Sequence, residues 1–207
     1  MKVLLINGSP RPDGCTYTAL SEVSGSLKKN EIETEIFHIG NAPVYGCSAC
    51  RLCKEANRCA FDGDCANELA EKMLIADGVV VGSPVYYAGP NGALCAILDR
   101  VFFSRPKERF AHIPAAAIVS CRRAGSTAAL DRLNKYFTIN SMTVIGSSYW
   151  NMVHGNTPEQ VRQDLEGMQI MRRLGENMAF LMKTMQESKK IIAPGDVEPA
   201  IATNFIR

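Results

Sequence analysis

An excess of charge of either sign is missing from this 207-residue sequence, in which 23 basic and 21 acidic residues leave a net charge of +2. That balance excludes the electrostatic footprint of a nucleic-acid binder, and no arginine-rich tract or aromatic-studded basic stripe stands out from it. No apolar run approaches the roughly 18 residues that a membrane span requires. Histidine is scarce, at three residues. No Ser–His–Asp arrangement, paired-carboxylate site or H-E-x-x-H motif is visible. The opening segment Met1–Gly8 lacks the apolar length and small-residue cleavage site of a secretory signal and reads as a buried first strand. The expectation is a cytoplasmic protein with neither nucleic acid nor membrane among its partners.

What is present is an alternation of strands and helices in a chain that is 46% hydrophobic. Strands are expected at 2–7, 33–39, 78–81, 115–120 and 142–146, from their apolar and β-branched runs. Helices are expected at 16–28, 66–75, 92–103, 124–137 and 158–183, the last with Thr157 at its cap and Pro158 in its first turn. Five strands interleaved with helices predict an α/β fold, a doubly wound five-stranded parallel sheet with helices on both faces. Residues 1–207 are expected to form one domain, with a cysteine-rich insertion at about 41–65. The tail from Ile191 onwards has no periodicity and is expected to pack on a neighbouring copy or on the domain itself.

Strand one runs through Gly8-Ser9-Pro10-Arg11-Pro12-Asp13-Gly14-Cys15-Thr16 into helix one. Free amides and the positive end of the helix dipole suit such a position to a phosphate, with Ser9 and Thr16 hydroxyls and the Arg11 guanidinium as further donors. The loop has neither G-x-x-x-x-G-K-[ST] nor G-x-G-x-x-G, which leaves a monophosphate rather than a triphosphate or a dinucleotide. An ordinary capped βα turn is the bland alternative. Two more strand-to-helix loops leave the same sheet edge: Gly82-Ser83-Pro84-Val85-Tyr86-Tyr87-Ala88-Gly89-Pro90, with flat apolar surface for a ring, and Cys121-Arg122-Arg123-Ala124-Gly125. Ligands in such sheets bind at the carboxyl edge, and the flavodoxin-like strand order binds FMN there.

These segments, together with Leu98-Asp99-Arg100, Tyr149-Trp150-Asn151 and His154-Gly155, resemble the NADPH-dependent FMN reductase branch of the flavodoxin-like superfamily over nearly the whole chain. The resemblance implies FMN as cofactor. Ser9, Arg11, Cys15 and Thr16 would hold its phosphate, and Pro84, Val85, Tyr86 and Tyr87 would line the flavin. Cys121, Arg123 and Gly125 would close the other side. Cys15 stands where Asn or Ser is usual, which weakens one side-chain contact to phosphate.

Eight cysteines are unevenly spread, and Cys47, Cys50, Cys53 and Cys59 read C-x2-C-x2-C-x5-C. The first two spacings are those of the bacterial ferredoxin run for a [4Fe–4S] cluster. The quartet sits in a connection of roughly 25 residues, far above the usual ~4–6. Structural zinc, disulfides and free thiols are the competing readings. The segment also resembles the compact cysteine motif of iron–sulfur flavoproteins, whose ligands would correspond to these four residues. That subgroup implies a protein passing electrons between ferredoxin or NAD(P)H and a small-molecule acceptor, as a homodimer or homotetramer with each cluster near a neighbour's flavin. The alternatives are an NAD(P)H-dependent FMN, quinone or azo reductase without a cluster, and a pure electron carrier. Cys65 is expected to be a buried helix-start residue, and His154 a packing or hydrogen-bonding residue.

Overall fold

The computed structural model describes residues 1–188, 190–192, 198 and 201. Five parallel strand positions form the sheet: β1 (Lys2–Asn7), β2 (Glu33–His38), β3 (Gly78–Tyr86), β5 (Pro114–Cys121) and β6 (Thr143–Val144), in the order β2-β1-β3-β5-β6. Two short strands bring the total among the described residues to seven. β4 (Gly89–Pro90) pairs antiparallel with the end of β3, and β7 (Met152–His154) pairs parallel with the end of β5. The expected count of five thus holds for positions across the sheet and not for strands. β6 and β7 are one interrupted edge position, because β6 pairs with Pro114–Ala115 and β7 with Val119–Cys121. Residues 146–150 leave the ladder between them, while the Ile145 N–H still donates to the Ala115 carbonyl and the Asn151 carbonyl accepts the Val119 N–H. The Asn151 side chain covers the gap, donating to the carbonyls of Ala117 (3.1 Å) and Ile145 (3.4 Å).

The helices are α1 (Cys15–Lys29), α2 (Cys53–Ala56), α3 (Ala66–Ile75), α4 (Gly92–Phe103), α5 (Ser126–Thr138), α6 (Pro158–Gln163) and α7 (Leu165–Ser188). Both faces of the sheet are covered, as the period-2 alternation requires. Along β1, Leu4 and Ile6 join the core formed with α3, α4 and α5, while Val3 and Leu5 join the core formed with α1 and α7. Small residues in β5, Ala115 to Ala117, let both helix layers approach the sheet centre.

Three expectations are corrected. β3 does not stop at Val81 but keeps its ladder with β5 through Pro84 and its pairing with β4 through Tyr86. The expected strand at 142–146 shrinks to two residues where Gly146-Ser147-Ser148 leaves the sheet. The expected helix at 158–183 is split at Asp164, whose carboxylate caps the first turn of α7 by accepting the Gly167 N–H (3.0 Å). Thr157 caps α6 as expected, accepting the Gln160 N–H. Most of 191–207, including the expected packing of the tail, lies outside the described residues. Among the described residues no helix is long and apolar enough to cross a membrane.

α1 and α7 touch where Gly175 faces Ser26: a Cβ on Gly175 would stand 2.6 Å from the Ser26 Cβ. The same serine donates its hydroxyl proton to the Arg172 carbonyl (2.8 Å), which fixes the crossing. Gly175→Val overpacks this contact and is expected to cost about 1–3 kcal/mol, read as a fall of several degrees in Tm. An unchanged Tm would show that the helices part freely.

Candidate functional site

The carboxyl edge is assembled by polar side chains at the ends of buried strands. Asn7, fully buried at the end of β1, accepts the Ser9 N–H (3.1 Å) and donates to the Pro12 carbonyl (3.0 Å), so it folds the following loop back on itself. The Ser9 Oγ accepts the Arg11 N–H (3.1 Å), and among the described residues its own proton has no acceptor. The loop ends at Gly14, which gives α1 no side-chain cap, and the first turn carries no acidic residue. Those amides remain available to an anion at the positive end of the helix. By contrast α4 and α6 are capped by Asn91 and Thr157.

The candidate phosphate residues are divided by the structure. Ser9 is buried beside the loop and Arg11 is exposed on it. Thr16 is buried in the first turn of α1, its hydroxyl 2.9 Å from the Ser120 Oγ, and so ties the helix to β5. The Cys15 thiol turns towards the Gly155 carbonyl (3.7 Å), and burial pushes its pKa up. Cys15 therefore links the loop to the segment after β7, and only its backbone amide is left for an anion.

The second loop is a hairpin rather than an open turn. Val85 pairs with Pro90 and Tyr86 with Gly89, leaving Tyr87 and Ala88 at the tip with φ of 49° and 59°. Two successive positive φ values on non-glycine residues carry strain, the kind of backbone cost that collects at functional sites. Tyr87 is fully exposed at that tip and Tyr86 half-exposed, while Pro84 and Val85 are partly buried below. The third loop meets this hairpin directly. Gly125 has φ +90°, and a Cβ there would stand 2.7 Å from the Ala88 Cα and 3.2 Å from the Val85 Cγ1. Cys121 is buried at the end of β5 with its thiol pKa raised by that burial, and Arg123 is exposed. Three loops are thus brought to one edge with an uncapped helix, a guanidinium and a raised aromatic tip. That donor set fits a flavin monophosphate.

The cysteine segment leaves the end of β2 and returns at α3. Cys47, Cys50, Cys53 and Cys59 all line one cavity of about 50 Å³, with Arg100, Phe103 and Ser104 of the α4 end opposite. Cys53 opens α2, is buried, and has its thiol pKa raised first by burial and then by the nearby sulfurs of Cys47, Cys50 and Cys59. Cys59 is gripped by Asn67, which accepts its N–H (3.1 Å) and donates to its carbonyl (3.0 Å). Cys47 and Cys50 are exposed. Ala49, Arg51 and Asn57, lying between the cysteines, have φ of 53°, 63° and 49°. Such left-handed positions on non-glycine residues bend the chain sharply between one cysteine and the next. Among the described residues no three metal-ligating side chains stand at ligating distance. The all-thiolate donor set and the turned backbone fit an iron–sulfur cluster. None of the flavin-loop residues lines this cavity.

Several site residues carried no sequence signal of their role. Asn7 and Asn91 look like ordinary polar residues at the ends of elements. Arg100 lies in the Leu98-Asp99-Arg100 stretch, but nothing in the sequence says that it is buried beside the cysteines. His38 is also new here, its Nε2 standing 2.8 Å from the Ser9 carbonyl. His154 shares Asp164 with α7: the carboxylate accepts its N–H at 2.6 Å. A larger cavity, about 630 Å³, opens at the opposite sheet edge between Met1, Asp77, His112 and Met182. It holds none of the loop residues above, so size does not mark this site.

The family model described as NADPH-dependent FMN reductase matches residues 1–157. An iron–sulfur flavoprotein of Methanocaldococcus jannaschii is 31% identical over 90% of this chain and 100% of its own length. One from Methanosarcina thermophila is 28% identical over 91% of this chain and 99% of its own. Among solved structures, RosB with bound 8-demethyl-8-formylriboflavin-5′-phosphate aligns with a TM-score of 0.73 at 16% identity, over 100% of this chain and 94% of that one. The apo form of the NADH:FMN oxidoreductase EMOB aligns at 0.64 and 17% identity, over 87% and 89%. At those identities the two structures bear on the fold alone.

The unequal burial of the four cysteines has a chemical consequence. In reduced, metal-free protein, iodoacetamide is expected to label Cys47 and Cys50 on the order of tenfold faster than Cys53, whose thiol is covered and harder to ionise. Mass spectrometry of the peptides reads the rates, and equal labelling would contradict the half-buried arrangement.

Proposed function

This chain belongs to the NADPH-dependent FMN reductase family, in its iron–sulfur flavoprotein subgroup, and on that premise we propose that it is an electron relay holding both FMN and a [4Fe–4S] cluster. As a member of that family it is an FMN-dependent oxidoreductase. The observation that carries the finer reading is the single cavity lined by all four cysteines of the C-x2-C-x2-C-x5-C run.

Bound FMN supplies hydride or one-electron chemistry, and a thiolate-held cluster supplies single-electron transfer. Ser9, Arg11 and the uncapped amides of α1 would bind the phosphate, with Thr16 bracing the helix from below. Pro84, Val85, Tyr86 and Tyr87 would flank the flavin ring, and Cys121, Arg123 and Gly125 would bound its other side. Gly125 admits no side chain, which keeps the third loop against the hairpin. Cys47, Cys50, Cys53 and Cys59 would ligate the cluster. The cysteine cavity rests on the far half of α4, with Arg100 nine residues and about 14 Å along the helix from the Asn91 cap. That separation, with Tyr87, Tyr149 and Trp150 exposed, favours a homodimer or homotetramer in which one copy's cysteines serve another's flavin. Electrons would enter from ferredoxin or NAD(P)H and leave to a small-molecule acceptor.

Two variants separate the parts of this reading. Arg11→Ala removes a charged hydrogen-bond donor worth about 1.5–3 kcal/mol, so FMN binding is expected to weaken ten- to a hundred-fold or so in a fluorescence titration. Unchanged affinity would remove Arg11 from the phosphate site. Cys50→Ser is expected to lose iron and keep FMN; full iron would remove Cys50 from the ligand set. Rapid flavin bleaching by NAD(P)H in an iron-free wild type would instead establish the cluster-free reductase.

A further inference from the structure

One buried charge is not used by the flavin loops. Arg100 lies on α4 and is 2% exposed, although its guanidinium stays charged at any ordinary pH. A charge so buried needs a partner on each of its three nitrogens, and it has them. Nη1 donates to the Asp64 carboxylate and to the Tyr45 carbonyl (3.3 Å), and Nη2 donates to the Phe61 carbonyl (2.7 Å). The Phe61 ring lies 4.8 Å from the guanidinium carbon. Nε, the remaining arm, donates to the Cys59 sulfur at 3.2 Å.

These partners define a clasp. Tyr45 precedes the first cysteine of the quartet, and Phe61 and Asp64 follow the last. One side chain from outside the segment therefore ties its two ends together. Asp64 completes the clasp from the other side, accepting the Ala66 N–H (3.1 Å) at the start of α3 while it neutralises the guanidinium. The fourth contact differs in kind from the other three. A neutral thiol sulfur is a weak acceptor, so a buried guanidinium arm gains little from it, whereas a thiolate or metal-bound sulfur is a strong one.

We infer that Arg100 is a positioning residue for the cysteine centre: it closes segment 45–64 at its neck and donates an N–H to Cys59, one of the sulfurs proposed to hold the cluster. The inference rests on the cluster reading above. A hydrogen bond and a positive charge beside a ligand sulfur favour the more negative, reduced state of a cluster and so raise its reduction potential. The clasp also lowers the ordering cost of gathering the four sulfurs, which raises affinity.

The test uses the anaerobically loaded holoprotein, wild type beside Arg100→Gln and Arg100→Lys. In Arg100→Gln the midpoint potential of the cluster, followed by EPR during a redox titration, is expected to move negative while the FMN potential stays in place. Retention of iron against bathophenanthroline is expected to fall about tenfold or more, as for other residues that orient metal ligands. Arg100→Lys keeps the charge and serves if the glutamine variant does not fold; it is expected to retain FMN and lose iron to the same chelator faster than wild type. Wild-type protein that takes up no iron sinks the cluster reading and this inference with it. Wild type that holds a cluster, beside a folded variant with the same potential and the same iron retention, overturns the role of Arg100 alone.

Discussion

The Asn91 side chain locks together the two loops that lead into the flavin edge. It donates to the Gly8 carbonyl at 2.7 Å and accepts the Ala93 N–H at 3.0 Å, while the backbone N–H of Asn91 donates to the Ser83 Oγ. One residue thus caps α4, holds the end of β3 and fixes the turn out of β1. The Gly8 N–H adds a bond to the Gly82 carbonyl, continuing the β1–β3 ladder into the loops. A phosphate site made of backbone amides works only if those amides are held in place before the ligand arrives. Asn7 and Asn91, both buried, supply that rigidity from below.

Much of this edge could be read in the amino-acid sequence because it depends on local pattern. The β1 run Lys2–Asn7 and the α3 and α4 boundaries, Ala66–Ile75 and Gly92–Phe103, follow from periodicity and match residue for residue. What could not be read depends on distant partners. Gly82-Ser83-Pro84 has the composition of a loop, yet β5 pairs with it and keeps it in the sheet. The hairpin tip is Tyr87-Ala88 where glycine or asparagine would be the signal, so its conformation was hidden. Asp164 sits inside an otherwise helical pattern, and its capping of α7 shows only once Gly167 lies against it. The place of Thr16 at the start of α1 was legible but its bracing contact was not, since Ser120 is 104 residues away.

The two candidate cofactor sites differ in how far the chain prepares them. At the flavin edge the first two loops are tied to each other by the Asn91–Gly8 and Gly8–Gly82 hydrogen bonds, and the third packs on the hairpin at Gly125. In the cysteine segment the preparation is one-sided: Asn67 and Arg100 fix Cys59, and α2 buries Cys53, while Cys47 and Cys50 remain exposed. The spacing of the quartet was plain in the sequence. Its anchor was not, because a buried arginine that serves a distant loop leaves no local pattern. Three left-handed residues among the cysteines show where the backbone has already been bent at a cost.

The central claim, that FMN and a cluster are held by one chain, comes down to a stoichiometry. Iron, acid-labile sulfide and FMN measured on the same anaerobically purified protein are expected at about four irons, four sulfides and one FMN per chain. One FMN per chain with neither iron nor sulfide would contradict the claim and leave the cysteine cavity to thiol or zinc chemistry.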